Sequence, residues 1–425
     1  MQNKPLGEQL SKLIFLLWSS LGPLHAAAVD FALTGFGTVG YAVSDKDFQY
    51  LRYIDNDGTF KADSLLGVQV EARLSPAWGV TVQGVASAPR TRDEGYETKI
   101  RWAFLSYRPT NDWLIRAGRL RPPFLLNSQN AEVGVTYDYA RLPSEIYSIS
   151  PVYDFDGGAV TKTWFFETSE LNADVFWGKS ELSFRLPFQR DPVQASRIPR
   201  FFPEKVTAKG VVLTRSAGPL LIRGGFHQAT LRPESEQLFF EALTPTSIPG
   251  PSPLGGTLFL PSFVSKLELD VLILGADWRP GDWRITGEVA HTNVKQSDLG
   301  VDSTSGYISV ARAVGKWTPY ATYARILSAP PQRRLYQQVN ATPVPAGAQG
   351  PPLFLPANFH QILSDSIFVF DQYSTMVGAS YTFSPTSKVK VEWMRTHVGV
   401  RSTLVDGDVH NRSFNVFSLS YSVAF

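Results

Sequence analysis

From Leu66 to Leu74 the chain alternates without a break: Leu66, Val68, Val70, Ala72 and Leu74 are apolar, whereas Gly67, Gln69, Glu71 and Arg73 are not. A β-strand points successive side chains to opposite faces, so this segment has one oily side and one wet side. The pattern returns at 78–83, with Thr81 and Gln83 on the polar face, and at 283–289, with Arg284, Thr286 and Glu288. It returns again at 388–394, with Lys388, Lys390 and Glu392. A soluble sandwich also has an oily and a polar face. Two features favour a membrane barrel. The alternating segments run to about ten residues, which suits a tilted membrane-spanning strand better than the usual soluble strand of about five or six.

The second feature is the rhythm of the connections. Short ones at 75–77, 109–112, 167–170, 216–219, 279–282, 315–316 and 384–387 alternate with long ones at 44–63, 88–98, 122–156, 180–204, 232–264, 295–303, 329–370 and 399–411. Seven short and eight long connections imply sixteen strands. They are expected over 31–43, 64–74, 78–87, 99–108, 113–121, 157–166, 170–179, 205–215, 219–231, 265–278, 282–294, 304–314, 317–328, 371–383, 388–398 and 412–425. Backbone groups in hydrocarbon must be satisfied internally, so the sheet is expected to close into an all-β, transmembrane antiparallel barrel. Trp78, Trp113, Trp283 and Trp317 each open a strand after a short turn, where an aromatic girdle belongs.

The N-terminus reads as an export address. Lys4 and Lys12 precede the apolar run that begins at Leu13, and Ala26, Ala27 and Ala28 offer the small residues a signal peptidase reads. We therefore expect a signal peptide over 1–28 and one barrel domain over 29–425. Zero Cys among 425 residues excludes disulfides and thiolate chemistry. Forty basic and 38 acidic residues leave a net charge of +2, so no nucleic-acid surface is implied.

Phe417, Leu419, Tyr421, Val423 and Phe425 alternate on one face of the final strand. This aromatic ending looks like the signal that the barrel-assembly machinery reads in outer-membrane proteins. With the sixteen-strand plan, the start at 31–41, and the segments 113–124, 141–147 and 155–158, it resembles the Gram-negative porin superfamily. The resemblance implies a Gram-negative outer membrane as location, with lipid and lipopolysaccharide as surroundings. It also implies a water-filled pore, a homotrimer, and a third long loop folded inward.

That third loop, 122–156, carries Glu132, Asp138 and Glu145 and is stiffened by Pro122, Pro123, Pro143 and Pro151. The basic residues expected opposite it are Arg73, Arg101, Arg116, Arg119 and Arg121. Carboxylates facing arginines set up a transverse field that favours polar solutes. The plainer alternative is that these arginines pair only with neighbours or lipid headgroups. Arg116 and Arg119 differ in parity, so either one faces outward or a bulge separates them. Gln69, Glu71, Gln83, Arg284, Glu288, Lys390 and Glu392 are expected to line the pore.

The segments Asp55–Gly58 and Asp406–Asp408 hold fragments of a calcium loop without its distal Glu and read as turns. No His-Glu-x-x-His, Gly-x-Ser-x-Gly or phosphate-binding Gly-Lys motif occurs, so neither a catalytic metal nor a cofactor is expected. The expected function is passive diffusion of small hydrophilic solutes. The alternatives are a channel selective for a small organic anion or short sugar, an outer-membrane enzyme such as a barrel lipase, and a receptor or adhesin.

Overall fold

An alternating strand in hydrocarbon finds no water for its edge groups, so the sheet must return to its own first strand. It does. The computed structural model describes residues 29–148, 153–186, 201–235 and 238–425, so the expected signal peptide lies outside the described residues. The strands are β1 (Asp30–Ser44), β2 (Leu65–Arg73), β3 (Trp78–Ser87), β4 (Glu97–Tyr107), β5 (Trp113–Leu120), β6 (Phe155–Phe165), β7 (Ser169–Arg185), β8 (Phe201–Ala217), β9 (Leu220–Pro233), β10 (Phe239–Ile248), β11 (Gly256–Val264), β12 (Leu267–Trp278), β13 (Trp283–Val294), β14 (Ser303–Arg312), β15 (Trp317–Ser328), β16 (Phe370–Ser384), β17 (Ser387–Ser402) and β18 (Arg412–Ala424). All except β10 and β11 form one closed sheet of sixteen strands in which β12 follows β9 and β18 pairs with β1. The seam runs antiparallel from Phe36 opposite Ala424 to Ser44 opposite Val416.

The two faces sort as the alternation requires. Val68, Val70, Val82, Leu419 and Tyr421 are exposed on the outer wall and Val80 is half-exposed, while Gln83 and Ser420 are buried on the inner side. Trp78, Trp113, Trp283 and Trp317 are exposed at the short-turn rim. A continuous apolar outer wall of this extent suits hydrocarbon, not water. At the seam, the Phe425 ring lies where a Cβ on Gly35 would stand, 2.3 Å from the nearest ring carbon. Gly35 N donates to Phe425 O at 2.7 Å, and Phe425 N donates back to Gly35 O at 2.9 Å.

Three long connections depart from plain loops. β7 and β8 run past the expected ends at 179 and 205, to Arg185 and back to Phe201. The 232–264 connection folds into the separate β10–β11 hairpin. Pro245 and Pro261 are tolerated there because a two-stranded ribbon consists only of edges. The 329–370 connection carries α1 (Pro330–Ala341), α2 (Ala346–Gln349) and α3 (Phe359–Asp365). Pro330 and Pro331 sit in the first turn of α1, where a missing N–H costs nothing.

Candidate functional site

Pro122 and Pro123 end β5, and Phe124 then packs edge-on against Phe176 at 5.5 Å and His227 at 4.3 Å between ring centroids. The segment that follows is bonded in turn to inward-facing side chains around the wall. Leu125 O accepts from Arg223 at 2.8 Å, and Leu126 N donates to Glu288 at 2.7 Å. The hydroxyls of Tyr147 and Tyr307 also donate to Glu288. Lys390 donates to Gly134 O at 2.6 Å and lies 4.1 Å from the Tyr137 ring centroid. Ala140 N donates to the Tyr320 hydroxyl at 3.2 Å, which donates in turn to Glu392 at 2.7 Å.

Each carboxylate predicted for this segment is engaged, but not all with the residues expected. Glu132 accepts from Arg121 at 2.6 Å and lies 3.2 Å from Arg101 and 3.5 Å from Arg90. Burial alone would raise its pKa, but Arg121, Arg90 and Arg101 outweigh that and hold it at about 2. Asp138 accepts from Lys388 and Ser380, each at 2.8 Å, and lies 3.9 Å from Arg284. Burial raises its pKa and Lys388 lowers it more, leaving it below the usual carboxylate range. Glu145, fully buried, accepts from Gln372 at 2.8 Å and from Ser374, so its partners are neutral.

The arginines divide four ways. Arg101 and Arg121 meet at Glu132, and Arg101 also lies 3.8 Å from Asp154. Arg101 owes its place to a β-bulge. The β3–β4 register slips between Gln83, opposite Trp102, and Gly84, opposite Ile100, leaving Arg101 as the extra residue, buried on the inner side. Arg116 faces inward but pairs with Asp174 of the neighbouring wall at 3.7 Å. Arg119 faces outward, pairing at 2.6 Å with Asp156, so opposite faces, not a bulge, resolve the parity of β5. Arg73 lies exposed at the short-turn end of β2, and none of its described contacts is with Glu132, Asp138 or Glu145.

Sequence reasoning missed Arg90, Lys388 and the Asp63–Arg141 pair. Lys388 was legible in part, sharing a strand face with Lys390 and Glu392. Of the other predicted lining residues, Gln69 donates to Glu71 at 2.6 Å and accepts from Gln83 at 2.7 Å, forming a polar ladder. On the long-loop side of the Glu132 cluster lies a cavity of about 540 Å³. Arg52, Arg90, Lys99, Arg101, Arg141 and Arg185 line it, against Asp63, Asp154 and Glu181.

A closed antiparallel barrel of sixteen strands, apolar outside and polar within, is an outer-membrane porin-like fold. No family model and no curated protein sequence matches the chain. Solved structures match along nearly its whole length. OmpF of Salmonella typhi, in a complex with daunomycin, aligns with a TM-score of 0.53 at 10% identity, covering 95% of this chain and 99% of that one. The outer-membrane channel DcaP of Acinetobacter baumannii gives 0.51 at 12% identity, covering 95% and 99%. A loop-deletion mutant of OmpT, an outer membrane protein of Vibrio cholerae, gives 0.51 at 14% identity, covering 94% and 100%. At such identities the likeness is one of fold.

Proposed function

We propose that the chain is an exported porin of a Gram-negative outer membrane, whose lumen passes small hydrophilic solutes and is narrowed by the 122–156 segment. The observation that carries this reading is the bonding of residues 125–147 to side chains on the inner faces of β9, β13, β15, β16 and β17. A segment tied to so many strands crosses the opening instead of standing clear of it. Water left beside it runs between fixed charges, which suits polar solutes and excludes apolar ones. The test is single-channel recording of the purified protein in planar bilayers. Discrete, ohmic openings are expected, and shortening the segment between 128 and 138 is expected to raise conductance. Absence of openings from a folded, heat-modifiable barrel would refute the reading.

Selectivity for a small organic anion is the second reading, favoured by the six basic and three acidic side chains lining the 540 Å³ cavity. A zero-current potential of the sign for anions under a salt gradient, with block by millimolar carboxylates, is the expected result.

A further inference from the structure

A second cavity, of about 450 Å³, lies at the long-loop end against the inner faces of β8, β9, β12 and β13. The β10–β11 hairpin and residues of α3 help enclose it. Its walls are mainly aromatic and aliphatic. Phe184 and Phe368 lie 5.6 Å apart by ring centroid on one side, and Phe240 and Phe263 lie 5.2 Å apart on another. One charged side chain lines it among the described residues, Glu204.

Glu204 is only 4% exposed, and its Oε2 has no hydrogen-bond partner among the described residues. Its cross-strand neighbours are Leu182 and Pro233, whose side chains cannot donate. The adjacent basic residues, Lys205 and Arg232, face the other side of the sheet and are paired in register with each other. Buried carboxylates normally have donors, because losing water without replacement is costly. Glu132 shows how this chain satisfies one where stability asks for it. A lone carboxylate in an aromatic-walled cavity of ligand size presents a complementary surface for a cation with an apolar body.

We propose that this cavity is a binding site for an apolar organic cation, its ammonium on Glu204 and its body among Phe184, Phe240, Phe263 and Phe368. Phe184, Leu269, Val301 and Phe368 also line the basic cavity, so the two spaces adjoin and a solute in one has a path to the other. The proposal concerns binding and stands whether or not the barrel conducts.

The test uses the full chain in lipid nanodiscs and isothermal calorimetry with two probes of equal shape, 4-phenylbenzylamine and 4-phenylbenzyl alcohol. The wild type is expected to bind the amine at least tenfold more tightly than the alcohol. Glu204→Gln is expected to abolish that preference by lowering the affinity for the amine at least tenfold, and Val301→Phe, which fills the space, is expected to weaken both. Equal affinity for the two probes in the wild type would mean that the carboxyl is simply protonated, and would overturn the proposal without any variant. No heat of binding at millimolar amine, or an amine affinity unaltered by Glu204→Gln, would overturn it equally.

Discussion

Glu132 and Glu204 are both buried carboxylates on the inner side of the same barrel, yet they sit in opposite surroundings. Glu132 lies among Arg90, Arg101 and Arg121, at the root of the segment that leaves β5. Glu204 lies among phenylalanines, and its Oε2 has no hydrogen-bond partner among the described residues. Burial therefore does not by itself say what a charge is for. Where three guanidiniums surround a carboxylate, the pair fixes structure, because removing either sign leaves the other stranded. Where none does, the buried charge costs stability instead of supplying it, a cost that the proposed cationic ligand would offset.

The sharpest way to break this contrast is to neutralise each carboxylate in turn. Glu132→Gln strands three arginines and should destabilise the folded barrel by about 3–5 kcal/mol, the range for breaking a buried ion pair. It should also shift the zero-current potential toward anions. Glu204→Gln should leave stability unchanged or slightly raised, with urea unfolding in detergent as the common measurement. Equal losses at both sites would erase the distinction.

A second comparison sets the two faces of one strand against each other. Val70→Arg puts a cation on the exposed outer wall and should cost about 2–4 kcal/mol near the bilayer midplane. Gln69→Arg faces the lumen and should assemble normally with altered conductance. Yield of heat-modifiable barrel reads the first effect, and bilayer recording the second.

Acid should act late on the Glu132 cluster. Its folded pKa of about 2 lies below its ordinary value, so its contribution to stability is fully present above the ordinary carboxylate range. That contribution shrinks progressively as pH falls from the ordinary value of 4.5 and is gone once pH has passed about 2. Tryptophan fluorescence followed from pH 7 to pH 1 should stay native-like down to about pH 3, and an early transition near pH 5 would place the controlling charge elsewhere. The smallest effect belongs to Arg119→Ala. Its partner Asp156 is well exposed, so the pair should be worth roughly 0–1 kcal/mol, with no change in current.

The wall was legible because hydrocarbon on one side and water on the other impose a period of two on every spanning strand. Leu66–Leu74 could hardly be anything else. The bulge that turns Arg101 inward resisted the same reasoning, because a bulge is a property of two strands in register and leaves no mark on either alone. The Asp138–Lys388 contact joins residues 250 apart in sequence, and only the closed barrel brings them together. The β10–β11 hairpin was hidden by its prolines, which forbid a central strand but not an edge. The Glu204 cavity needs that hairpin and α3, so no local pattern announced it.

The seam between β1 and β18 has a consequence for how the molecule forms. Most other strand pairs in the barrel join neighbours along the chain, whereas Thr38 meets Ser422 across 384 residues. Loop-closure entropy rises slowly with length, so the thermodynamic penalty of this one long-range pairing is modest. Its kinetic weight is larger. Until the seam zips, the sheet has two exposed edges, each able to recruit a strand from another copy. A catalyst of assembly that shields those edges would gain more here than one that speeds any single hairpin.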